Sequence, residues 1–178
     1  MAKNKRPRKR YVKRYTVSNW EIKPEEFEEF NSRVVNFSMK IEVSLRSGTC
    51  HYDDFFFMRD FFHWCVIALC TRDEYDEKER SEVMGIIDKA ATASVEVQTR
   101  GLRNGCRFVC KADELELIQT AAEFVDDFYS NSFKANPTLV MKEWTVMQHY
   151  AKLAFEHKIN ISPSIGQLKR DIANCIIV

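Results

Sequence analysis

The stretch FFFMRDFFHWCVIALC, residues 55–70, is apolar on nearly every side of any helix drawn through it, with only Arg59, Asp60 and His63 interrupting. A helix without a solvent-facing side has to be surrounded, so this segment predicts a central helix with others packed about it. Asp53 and Asp54 stand where a helix start needs acceptors for its unpaired N–H groups. The phenylalanines read first as core packing and second as an aromatic platform for stacking bases. His63, alone in the most apolar segment, reads as a satisfied core group.

The rest of the chain supplies the surrounding helices. Phe27, Phe30, Val34, Phe37, Ile41 and Leu45 recur at spacings of three and four, one face of a single helix that Pro24 opens and Gly48 stops. Asp76 to Gly101 reads as a further helix with a narrow face of small residues, among them Ala90, Ala91 and Ser94. Asn104-Gly105 is a turn signal, and a small β-hairpin is admitted near 102–110. Asp113 with Glu116 marks the next start, and that helix runs to about Ser130 on Leu115, Ile118, Ala122, Val125 and Phe128. Asn136-Pro137 reads as cap and first residue of another, carrying Val140, Trp144, Met147, Ala151 and Ala154. A short last helix from about Pro163 leads into the apolar CIIV, which should dock on the body. The pattern predicts a mainly all-α fold, a bundle of five to six helices over residues 21–178.

Charge divides the chain differently. A formal net charge of +1 hides an uneven distribution, because Lys3, Lys5, Arg6, Arg8, Lys9, Arg10, Lys13 and Arg14 precede the first acid, Glu21. Eight of the 27 bases therefore lie in a basic arm, residues 1–20, leaving 19 against all 26 acids and a body of −7 with His neutral. No run is long and apolar enough for a membrane span, and the basic start lacks the apolar core of a secretory signal. The six cysteines sit mostly among core-type residues and read as reduced thiols in a cytoplasmic, reducing setting.

Motifs for chemistry are sparse. Cys106-x3-Cys110 and Cys65-x4-Cys70 lack the close-pair spacing of zinc sites, and His51 beside Cys50, Asp53 and Asp54 reads as capping and surface. His149 and His157, eight apart on one helix, are separated by roughly 12 Å of axis, too far to share one ion. The five glycines form neither a dinucleotide-binding nor a phosphate-loop pattern. No catalytic residue, metal or cofactor is expected.

The arm carries the functional expectation. Its eight cations with Tyr11 and Tyr15 suit phosphate contacts and base stacking, which points to nucleic acid or a nucleoprotein as partner. A basic run of this kind also matches a nuclear import label. The acidic body offers a second reading, a protein-directed inhibitor or adaptor of a nucleic-acid-handling or defence enzyme, since acids on helices can imitate a phosphate track. Glu25, Glu26, Glu28, Glu29, Asp73, Glu74, Asp76 and Glu77 are the acids nominated for that docking surface. The body could also act as a homodimerising module, and no membrane partner is expected.

The layout, KNKRPRKRY at the start, helices, then a turn and FVCKADELELI opening another helix, resembles a group of uncharacterised bacteriophage and prophage proteins over the first 130 residues or so. The resemblance carries no activity with it. It implies a bacterial or viral cytoplasmic setting, which argues against the nuclear label.

Overall fold

A computed structural model describes residues 21–22, 24–158 and 162–177. Among the described residues the fold is a bundle of seven helices: α1 (Pro24–Val34), α2 (Phe37–Ser47), α3 (Tyr52–Thr71), α4 (Glu77–Arg103), α5 (Ala112–Ala135), α6 (Pro137–His157) and α7 (Ile165–Ala173). Two short strands, β1 (Glu21–Ile22) and β2 (Ile176–Ile177), pair in parallel with Glu21 opposite Ile176. The basic arm lies outside the described residues.

The aromatic segment is the centre. Phe61, Trp64, Cys65 and Ala68 of α3 are completely enclosed, and α4, α5, α6 and α7 all pack against that helix. Burying each large apolar side chain contributes about 1.5–3 kcal/mol before entropy is set against it, so α3 is the main source of cohesion. α4 lies along α5, with Ala90, Ala93 and Ser94 buried between helices, as small side chains allow. α1 joins through its rings: Phe27 stacks on Phe133 of α5 and Phe30 on Trp144 of α6.

Helix ends follow local chemistry. Asp76 accepts from the Glu79 N–H while Glu79 accepts from the Asp76 N–H, a reciprocal cap on α4. Asn136 caps α6 by accepting from the Leu139 N–H, with Pro137 in the first turn, and Ser164 caps α7. The α3 start uses Asp54, which accepts from the His51 N–H at 2.7 Å.

Several expectations are corrected. Residues 24–48 form two helices, which takes the count above five to six. The break is at Asn36, held at φ 58° in the left-handed region that asparagine tolerates better than other non-glycine residues. Its apolar face nevertheless continues, since Phe27, Phe30, Val34, Phe37, Ile41 and Leu45 are all buried.

The hairpin near 102–110 is not formed: α4 continues past Gly101 to Arg103, and Asn104-Gly105 closes it. Gly105 has φ 68°, and the Cys106 N–H donates back to the Gly101 carbonyl at 2.9 Å, the bond of a Schellman cap. Phe108 then returns to lie buried on Gly101, whose missing side chain makes the space.

α5 starts at Ala112 with Lys111 in the cap position, two residues before Asp113, where Glu114 accepts from the Lys111 N–H, and it runs to Ala135. On α6, Ala151 is exposed while Glu143 is buried. His63 is exposed, not enclosed. Cys50, Cys65 and Cys175 are buried as expected of core thiols, but Cys70 and Cys110 are half-buried and Cys106 is exposed at the turn. Of the terminal CIIV, Cys175 is buried while Ile176, although paired in β2, is exposed.

Candidate functional site: a groove between α1, α3 and α6

Because α1 touches the bundle mainly through aromatic side chains, it stands over α3 and α6 and leaves a groove of about 900 Å3 between the three helices. Phe30, Phe57 and Trp144 make an aromatic floor, with the Phe30 and Trp144 ring centroids 3.6 Å apart. The Arg33 guanidinium covers the Phe57 ring at 4.1 Å, and beside it Arg59 lies over Phe56 at 4.9 Å. Both are cation–aromatic contacts of ordinary strength for exposed sites.

Polar groups line the walls. Asp60 accepts from Arg59 at 3.1 Å and from the Gln148 amide at 3.5 Å, and Lys152 lies 4.0 Å from Glu156. Glu29 and Asp53 also line the groove, and their carboxylates have no ion-pair or hydrogen-bond partner among the described residues. Burial holds the His149 pKa below the ordinary imidazole value, which favours the neutral ring on the α6 wall. The arrangement presents aromatic faces that take cations, together with two carboxylates unpaired among the described residues.

A second, narrower cavity of about 290 Å3 lies between α3 and α4, walled by Phe62, Val66, Ile87, Ala91 and Val95. His63 sits on its rim, and its apolar surroundings lower its pKa.

The nominated acids divide into two groups on separate elements. Glu25, Glu28 and Glu29 are exposed on α1; the Glu26 side chain is outside the description. Asp73, Glu74, Asp76 and Glu77 lie in the α3–α4 turn and the first turn of α4, where most have local work. Asp73 pairs with Lys169 of α7, which holds its carboxyl below the usual range. Glu74 is 3.8 Å from Arg72, and Asp76 is the α4 cap. Lys3, Lys5, Arg6, Arg8, Lys9, Arg10, Tyr11, Lys13, Arg14 and Tyr15 all lie outside the described residues.

A buried ionic network was not foreseen. Arg72, just past the end of α3, donates to both oxygens of Glu143 at 2.8 and 2.9 Å and to the Ser132 hydroxyl at 2.7 Å, with its guanidinium 5.2 Å from the Phe128 ring. Burial raises the Glu143 pKa and the Arg72 fork opposes it. The clue was an acid at position 143 on the apolar stripe running Val140 to Met147, because a carboxylate there requires a cation. This network ties three helices together inside the protein.

Among the described residues no group of three or more His, Cys, Asp or Glu is placed to hold a metal ion. Burial pushes the Cys50 thiol up to about 12 and Cys110 up to about 11, leaving little thiolate on either near neutrality. No described helix is long and apolar enough to cross a membrane. Compared with protein-family models, curated proteins and solved structures, the chain matches none.

Proposed function

We propose that the protein is a non-enzymatic helical binding protein whose basic arm engages nucleic acid or a nucleoprotein, with the bundle as its scaffold. The observation that carries the reading is the separation of charge along the chain, eight cations and no acid in residues 1–20 against a body of −7. Arginine and lysine on a phosphate backbone release condensed counterions, and tyrosines among them can stack on bases. The acids of residues 73–77 are largely taken up by a cap and by pairs with Lys169 and Arg72, so the body's charge is partly spent on its own structure.

Fluorescence anisotropy of a labelled single-stranded oligonucleotide over a salt series tests this. Eight engaged cations imply a log-log slope near about −5.6, from roughly −0.7 per phosphate neutralised. Full-length protein with all eight arm cations replaced by glutamine should lose the binding. Equal binding by that variant contradicts the proposal.

A second reading, a protein-directed inhibitor or adaptor, draws on Glu25, Glu28 and Glu29, exposed on α1 without a side-chain partner among the described residues. It predicts that E25Q/E28Q/E29Q abolishes the biological effect while the arm variant retains it.

A further inference from the structure

We propose that the groove between α1, α3 and α6 is the docking site of the chain's own basic segment, residues 3–15, so that the groove and a polyanion compete for the same cations. The competition rests on the nucleic-acid reading above; the docking does not.

The groove's chemistry selects a cationic peptide. Its two bases, Arg33 on the Phe57 ring and Lys152 near Glu156, face three acids, and two of those, Glu29 and Asp53, are unpaired among the described residues. A cation entering it meets two carboxylates unpaired among the described residues, beside aromatic rings of the kind on which Arg33 and Arg59 already rest. An anionic segment would meet three carboxylates against two bases.

The choice of this chain's own segment follows from attachment. Residue 21 begins β1, which packs against α6, and α6 is one wall of the groove. Twenty residues reach up to about 66 Å when extended, against a radius of gyration of about 16 Å for a chain of this length. A tether of that length sets an effective concentration on the order of millimolar, so even weak side-chain contacts would hold the segment in place. Eight cations supply more than enough partners for two carboxylates, and nucleic acid, with a charge on every nucleotide, would displace it.

Zero-length carbodiimide cross-linking of the full-length protein at low salt, followed by mass spectrometric mapping, tests the docking directly. Amide links from Lys3, Lys5, Lys9 or Lys13 to Glu29 or Asp53 within one chain are expected, and they should vanish in E29Q/D53N, a variant confined to exposed side chains. Links from these lysines only to other acids, or no links, overturn the proposal. Links joining two chains assign the groove to a second copy and overturn docking in cis. Anisotropy with the oligonucleotide separates the two readings: E29Q/D53N should bind it about 3–10-fold more tightly at low salt. Unchanged binding overturns the competition, whereas cross-links in a protein that binds no oligonucleotide sustain the docking and overturn the nucleic-acid reading.

Discussion

At Gly101 the fold has no room for a methyl group. A Cβ built there would lie 2.2 and 2.7 Å from two atoms of the Phe108 ring, and Phe108 is itself buried. G101A should therefore cost about 1–3 kcal/mol, since the ring has to leave its place. Gly85 on the same helix is the control: nothing lies within 4 Å of its added Cβ, and G85A should be neutral or stabilise by up to about 1 kcal/mol. Urea denaturation checks both, and equal effects would contradict the close approach. The same measurement applies to Arg72 and Glu143. Removing either partner strands a buried charge and should cost about 3–5 kcal/mol, while R72M/E143M should cost less than either single truncation. Additive losses would mean that the two groups do not act as a pair. Neither feature was legible in full: a glycine inside a helix reads only as a possible stop, and position 143 indicates that a cation is needed without naming Arg72, 71 residues away.

At the scale of elements, the α4–α5 connection is held by charge. Arg100, near the end of α4, donates to Glu114 at 2.8 and 2.5 Å and also to the Val109 carbonyl. The Arg100 guanidinium beside Glu114 holds its carboxyl at about 2, from an ordinary 4.5. A depressed carboxyl contributes stability that is fully present above about 4.5 and disappears as the pH falls toward 2. E114Q should therefore lower stability near neutrality by about 1–2 kcal/mol, a range reduced because the Arg100 side chain is 33% exposed and screened by solvent. The gap between the two proteins should close as pH falls from 4.5 to 2, and a gap constant across that window would contradict the pairing.

Periodicity made the helices and most of their buried faces readable, including the aromatic centre and the Asn136-Pro137 start. Two backbone choices defeated it. Asn36 breaks a helix without breaking its apolar face, and Asn104-Gly105 suits either a hairpin turn or a helix cap. The second ambiguity is resolved only by the packing of Phe108 on Gly101, a tertiary contact. The groove was likewise hidden in part. Its acids and rings were visible as residues, but only the stance of α1 over α3 and α6 brings Glu29, Asp53 and Trp144 to one place.

Over the whole molecule, opposite charge gathers on separate parts of one chain, eight cations in residues 1–20 and a net −7 in the rest. The bundle coheres through α3, whose buried side chains fill the centre of the core among the described residues. On the proposed reading those cations serve a polyanion, the groove, or each in turn as salt and partner dictate. The salt dependence of oligonucleotide binding tests this most directly. A log-log slope steeper than about −4 for the full-length protein, lost when the eight cations become glutamine, is the predicted result. A slope near zero, or binding that survives the substitutions, would contradict it.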